Sequence, residues 1–247
     1  MSRFGAIITP REPSKTTWQV VGLVFAIGFP TILTAVYFVG LAQAPARWQQ
    51  GVYATGKFLQ FAFPILWLRW ALCQPITGSW PTKYLLVPSL AFGALVMLGM
   101  LVLANYWLVP HGYLDVAAEG VRRKIDDLGI HTPLRYAAVG FFYVAVHSLL
   151  EEYYWRWYVF AQLREWLPLL PAVTISSLAF MAHHVILLGI YFGWAVPATY
   201  LLSLSVAMGG VVWALLYERS GSLLGPWLSH ALVDAGIFVL GFQLAAI

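Results

Sequence analysis

The sequence predicts an all-α protein, a polytopic bundle of transmembrane helices. Of its 247 residues, 61% are hydrophobic and only 10% are charged, whereas soluble domains carry about 25% charged residues. Long apolar runs recur along the chain, and a segment in lipid must satisfy its own backbone hydrogen bonds, so these runs are expected to be helices. Cys73 is the only cysteine, which excludes an internal disulfide and a cysteine-based metal cluster.

About seven runs are long enough to span a bilayer, which takes about 20 residues. They cover residues 18–42, 54–72, 84–109, 134–163, 168–192, 197–217 and 223–245. The second run is the weakest, because Lys57, Gln60 and Arg69 leave it only a short apolar core. We expect a multi-pass protein of a prokaryotic cell membrane.

Residues 113–131 differ from these runs, since they hold four acidic and three basic residues with apolar residues between them. This spacing predicts an amphipathic helix at the membrane interface; a solvated loop is the alternative. The net charge of +4 comes without a long basic run. Contact with anionic lipid headgroups is therefore expected, and nucleic-acid binding is not.

The ionisable residues of the last four predicted spans form three groups, and each such residue costs about 2.5–3.5 kcal/mol at a helix centre. The first group is "EEYYWR" at 151–156. Glu152 and Arg156 are four residues apart on one helix face and can pair. Glu151 is rotated by about 100° from that face, so its carboxylate is free for chemistry. A purely structural ion-pair cluster is the alternative.

The other two groups carry histidines. In "FMAHH" at 180–184, Phe180 and His184 share a helix face, while His183 points elsewhere. In "HALVD" at 230–234, His230 and Asp234 project from one face. A histidine–carboxylate hydrogen bond that holds helices together is the alternative for this last pair.

Together the three groups supply a carboxylate base, two imidazoles and a second carboxyl. A carboxylate and a histidine can activate a water molecule, while further donors stabilise an oxyanion. Four of the side chains are also candidate zinc ligands: Glu151, His184, His230 and Asp234. His147 lies one turn before Glu151 on the same face and is a further candidate.

The ordered motifs, over roughly residues 134–240, resemble the CAAX protease and bacteriocin-processing family of intramembrane endopeptidases. That family carries EExxxR, FxxxH and then HxxxN or HxxxD on successive transmembrane helices. The resemblance implies that Glu151 activates water with the help of His184. It also implies that His230 and Asp234 position the water or stabilise the oxyanion. The supporting positions are Glu152, Arg156 and Phe180.

Two positions depart from the commoner family pattern. Trp157 stands where a glycine commonly follows the motif arginine, and Asp234 stands where asparagine is frequent. An asparagine side chain can donate a hydrogen bond to an oxyanion, whereas an ionised aspartate cannot. Asp234 must therefore be protonated, accept a hydrogen bond that orients His230, or bind a metal. The last option keeps a zinc-dependent version of the enzyme as an alternative.

The function that the resemblance implies is hydrolysis of a peptide bond near the membrane face, with a lipidated or hydrophobic C-terminal tail as a candidate substrate and no required cofactor. Its partners are then membrane lipids and a peptide or protein. Residues 1–247 are expected to form a single membrane domain, with the catalytic core helices at 134–245. A non-catalytic scaffold or bacteriocin-immunity protein is one alternative. A carrier that relays protons or ions is another, although the lack of an internal repeat weakens it.

Overall fold

The fold is described from a computed structural model, which covers residues 13–76 and 81–245. Within these ranges every regular element is a helix, which confirms the all-α prediction. The helices are α1 Pro13–Ala35, α2 Ala46–Leu66, α3 Leu86–Leu103, α4 Asp115–Leu128, α5 Pro133–Arg164, α6 Leu169–Phe192, α7 Pro197–Ser220 and α8 Leu224–Ala245. π-Helical turns extend the first three helices, at Val36–Gly40, Trp67–Ala71 and Ala104–Leu108.

Six helices in the described ranges are long and apolar enough to cross a membrane: α1, α3, α5, α6, α7 and α8. Helix α2 is not among them, because Lys57 and its polar neighbours lower its hydropathy. It nevertheless runs antiparallel to α1 over the same depth, with Trp67 against Gly22 and Leu33 against Gly56. The polytopic bundle is confirmed. The weakest predicted span, residues 54–72, is a helix that packs against α1 but is not apolar enough to count as a candidate span.

Helices α3 and α8 run parallel and approach closely through small residues. Gly93 of α3 lies against the backbone of Ser229, and Gly236 of α8 lies against Met97. In lipid, where hydrophobic burial does not draw helices together, such small residues allow the backbone proximity that holds a bundle. The pairing fixes the position of the segment of α8 that follows Ser229.

Helix α5 is unusual, because two stretches of it are π-helical, Phe142–His147 and Tyr153–Phe160. The short α-helical segment between them, Ser148–Glu152, carries the two adjacent glutamates. Helix α5 is antiparallel to α8: the hydroxyl of Tyr136 donates to the carbonyl of Phe238 at 2.9 Å, near the start of α5. π-Helical turns within α-helices frequently occur at functional sites.

Helix α4 falls inside the segment predicted to be amphipathic. Its small and apolar residues Ala117, Ala118 and Ile125 are buried, while Glu119 is exposed. The guanidinium of Arg122 donates to the carbonyl of Leu244 at 2.9 Å. The charged helix therefore packs across the end of α8, on the side of the bundle where α5 begins.

The close approach of α3 and α8 gives a prediction about stability. A methyl group at position 93 would lie 2.6 Å from the carbonyl oxygen and 2.9 Å from the Cα of Ser229. We expect Gly93→Ala to lower the free energy of unfolding by about 1–3 kcal/mol, as overpacking does. The measurement is thermal unfolding of the purified protein in detergent micelles.

Gly99→Ala, on the same helix, is the matched control, since no atom lies within 4 Å of its added methyl group. Alanine is also the better helix former, so this variant should be at least as stable as the wild type. Equal melting temperatures for the two variants would contradict the packing described here.

Candidate active site

The three polar motifs meet inside the bundle, where α5, α6 and α8 come together. Glu151 is 4% exposed, Glu152 is 0% exposed and His230 is 4% exposed. His183, from α6, is also buried. Buried charges persist in such a place only when they are paired or serve a function, so each partner in this cluster matters.

Glu152 lies at the centre of a buried ion pair. Its Oε1 atom is 3.2 Å from Nη1 of Arg156, one turn later on α5, which confirms the predicted pairing along one helix face. The same oxygen accepts a hydrogen bond from Nδ1 of His230 at 2.8 Å. Because an ionised carboxylate can only accept, Nδ1 of His230 carries the proton. The carboxylate of Glu152 is thus compensated from two helices.

Arg156 connects this pair to α6 and α7. One terminal nitrogen of Arg156 donates to the carbonyl of Gly210 at 3.4 Å. Its guanidinium lies 4.9 Å from the ring centre of Phe180 and 5.2 Å from that of Trp213. A planar cation between aromatic faces keeps favourable electrostatic contacts without water. Phe180, predicted to support the site, therefore packs against the cation of the EExxxR motif.

Glu151 has a different surrounding, made of imidazoles. Its Oε1 atom is 3.9 Å from Nε2 of His147 and 3.8 Å from Nε2 of His183. Its Oε2 atom is 3.8 Å from Nε2 of His230. These distances exceed that of a direct hydrogen bond, about 2.7–3.2 Å. The carboxylate therefore keeps its lone pairs available to a third molecule placed among the rings.

The two histidines of "FMAHH" are placed differently from the sequence prediction. His183, predicted to point elsewhere, is the α6 imidazole within 4 Å of Glu151. His184 lies beside it, with ring centres 4.2 Å apart, and its Nδ1 lies 3.0 Å from the carbonyl of Phe180. Because a carbonyl oxygen only accepts, Nδ1 of His184 carries the proton and its Nε2 holds a lone pair in the neutral ring.

Asp234 and His147 complete the cluster. Oδ1 of Asp234 is 3.6 Å from Nε2 of His230, so the predicted juxtaposition along one face of α8 is present. His147 lies one turn before Glu151, as its spacing predicted, and is 17% exposed. His147 also lines a cavity of about 550 Å³ between α2 and α5. The cluster is therefore adjacent to a space large enough for a ligand.

A zinc centre is the alternative that the sequence left open for these residues. Within the described ranges, no group of three or more His, Cys, Asp or Glu side chains is arranged to hold a metal ion. The alternative zinc ligands predicted from the sequence are Glu151, His184, His230 and Asp234. The zinc alternative and the expectation that no cofactor is required both stay predictions.

Two residues near the cluster were not candidates in the sequence. The indole ring of Trp213 stacks on His230, with ring centres 4.2 Å apart and planes 15° apart. Lys57 of α2 lines the cavity together with His147. Lys57 could have been recognised from the sequence, because a lysine within a predicted span is unusual and suggests a function. Trp213 could not, because nothing in the sequence distinguishes it from the other tryptophans, of which the chain has twelve.

Apolar helices around a buried carboxylate–imidazole cluster define an integral membrane protein with a candidate hydrolytic site. Residues 133–236, from the start of α5 to the middle of α8, match the family model described as type II CAAX prenyl endopeptidase, Rce1-like. Over this segment the chain is similar to the CAAX protease family, which confirms the resemblance found in the sequence and supports a membrane protease that acts on a peptide or protein. No curated protein and no solved structure matches the chain.

The buried pair gives a testable contrast with an exposed pair of the same spacing. Arg156 and Glu152 are 3% and 0% exposed, whereas Arg123 and Glu119 on α4 are 69% and 67% exposed. We expect Arg156→Met to lower the free energy of unfolding by about 3–5 kcal/mol, because a buried carboxylate loses its cation. Chemical or thermal unfolding in detergent would measure this loss.

Arg123→Met serves as the control, since an exposed pair at this spacing contributes about 0.3–0.5 kcal/mol. A second variant, Arg156→Met combined with Glu152→Gln, should recover part of the loss because it removes the uncompensated charge. Similar small effects at positions 156 and 123 would show that the ion pair does not hold the site.

Proposed function

We propose that the protein is an intramembrane endopeptidase in which Glu151 removes a proton from the water that attacks a peptide bond. One observation carries this proposal. Of two adjacent buried carboxylates, Glu152 is compensated by Arg156 and His230, whereas Glu151 faces three imidazole rings at 3.8–3.9 Å. A carboxylate without a direct cation, placed beside histidines, is suited to general-base catalysis.

The reaction consumes one water molecule and breaks one C–N bond. The oxygen of water attacks the carbonyl carbon while Glu151 takes the proton, which forms a tetrahedral intermediate with a negative oxygen. When the C–N bond breaks, the proton held by Glu151 passes to the leaving amine. The products are a new carboxylate and a new amino terminus.

The histidines divide the remaining tasks. The resemblance gives His184 the role of assisting Glu151. Its Nδ1 donates to the Phe180 carbonyl, so its Nε2 lone pair can accept a hydrogen bond from the water. His183, which lies within 4 Å of Glu151, is the other α6 imidazole suited to this role. His230 is held in one orientation by Glu152 and by the stacked Trp213. Its Nε2 edge faces Glu151 and Asp234. Because Nδ1 carries the proton, Nε2 of the neutral ring accepts a hydrogen bond, which suits the predicted role in positioning the water. The alternative role, stabilising the oxyanion, requires the doubly protonated ring.

The substrate is expected to be a lipidated or hydrophobic C-terminal tail, cleaved near the membrane face of a prokaryotic cell. Two observations support it. The family model that matches residues 133–236 is that of a prenyl endopeptidase. The cavity beside His147 is lined mainly by apolar and aromatic side chains of α2 and α5, as expected of a site for an apolar ligand.

The direct test is cleavage of an internally quenched, farnesylated peptide by the purified protein. Glu151→Gln keeps the size of the side chain but removes the base, and we expect it to lower kcat by about 10²–10⁴-fold. Glu119→Gln, which alters an exposed carboxylate of α4, should leave the rate unchanged. A Glu151→Gln variant as active as the wild type would refute the catalytic role and favour a non-catalytic scaffold.

The glutamate-type mechanism also predicts the response to metal removal. Because the proposed base is a carboxylate and no step uses a metal, incubation with EDTA or 1,10-phenanthroline should leave the rate of peptide cleavage unchanged. Loss of activity that returns on addition of zinc would instead establish the zinc-dependent version. Metal content of the purified protein, by mass spectrometry, is the independent readout.

A further inference from the structure

Lys57 places a positive charge inside the bundle, near the middle of α2. A lysine at the centre of a spanning helix costs about 2.5–3.5 kcal/mol on insertion scales and is by default a functional residue. Lys57 is one of the residues that keep α2 out of the helices apolar enough to span a membrane, so its charge needs shelter or a partner within the bundle. A ligand for the ammonium group would explain why the lysine is kept.

The ammonium group of Lys57 has aromatic neighbours, and the carboxylate that acts on it electrostatically, that of Glu151, lies beyond ion-pair distance. It lies 5.6 Å from the ring centre of Tyr53 and 5.5 Å from that of Phe61. In residues 13–76 and 81–245 it makes no ion pair within 4 Å. Aromatic faces attract a cation but do not accept its three donor hydrogens as an oxygen does. The charge therefore remains available to an anion.

An anion bound by Lys57 would lie in the cavity that leads towards Glu151. Tyr53, Lys57 and Phe61 recur every fourth residue on one face of α2 and line the cavity of about 550 Å³. Sites for small ligands typically measure about 300–1,000 Å³. On the other wall stands His147, whose Nε2 is 3.9 Å from Glu151. The cavity thus has a cation on α2 and leads, past His147, to the proposed base.

We propose that Lys57 binds the terminal carboxylate of the substrate's C-terminal tail and so sets the distance from the chain end at which Glu151 cleaves. This inference rests on the proposed function. A tail with apolar side chains matches the aromatic walls, and its only obligatory charge is the carboxylate at its end. A carboxylate in an apolar cavity needs a cation, and among the described residues that line this cavity Lys57 is the lysine or arginine.

Binding to the Glu151→Gln variant tests the inference without the need for cleavage. The probes are a fluorescent farnesylated peptide with a free C-terminal carboxylate and the same peptide as its C-terminal amide, followed by fluorescence anisotropy. We expect the acid to bind about 10- to 100-fold more tightly, as a charge-assisted hydrogen bond allows. Lys57→Met should remove this preference, and Lys57→Arg should retain it.

Lys124→Met is the matched control, because Lys124 also lies over a tyrosine ring, 5.0 Å from that of Tyr37, but belongs to α4. It should keep the preference for the acid. Equal affinities for acid and amide, or a preference that survives Lys57→Met, would overturn the inference. So would palmitate binding as tightly as the acid peptide and with the same dependence on Lys57, since the ligand would then be a fatty acid.

The two proposals can fail separately. A preference for the acid form together with no cleavage by the wild-type protein would retain the carboxylate site and remove the protease. Cleavage of acid and amide peptides with equal kcat/KM would retain the protease and remove the role of Lys57.

Discussion

The compensation of Glu152 is the interaction on which the rest of the site depends. A carboxylate buried in the bundle without a partner would cost several kcal/mol, and the chain meets this cost with two groups. Arg156 pairs with Glu152 along α5, and His230 donates to it from α8. Arg156 also donates to Gly210 of α7. The ion pair of Glu152 and Arg156 therefore connects α5, α7 and α8. The neighbouring Glu151 is thereby fixed among imidazoles without being neutralised.

The membrane imposes the second constraint, which places polar chemistry in the interior. Large apolar side chains such as Val24, Leu95 and Leu201 are exposed on the outside of the helices, where lipid would solvate them. Hydrolysis needs water and charge, and both are costly at this depth. The bundle limits the cost by grouping its ionisable residues on facing helices, where they form ion pairs and hydrogen bonds with one another. Lys57 on α2 and His147 on α5 continue this group of ionisable residues as far as the cavity, which both of them line.

Local geometry could be predicted from the sequence, and relative helix rotation could not. Residue pairs four apart on one helix, such as Glu152 with Arg156 and His147 with Glu151, lie together as expected, because a helical backbone alone determines that proximity. Whether His183 or His184 faces Glu151 depends on the rotation of α6 about its axis relative to α5. The spacing of residues within α6 does not determine that rotation. The position of α2 could not be predicted for a similar reason. Its hydropathy is low, and its course along α1 follows from packing of Gly56 against Leu33 and of Trp67 against Gly22.

The most direct measurement of the central claim is a comparison of terminal peptides from native-host membranes that carry either the wild type or Glu151→Gln at matched expression. If Glu151 activates water for peptide hydrolysis, at least one membrane protein should keep an uncut terminus only with the variant, which would also name a substrate. Identical termini, under conditions where deletion of the gene has a phenotype that Glu151→Gln rescues, would contradict the account and leave the protein a membrane scaffold.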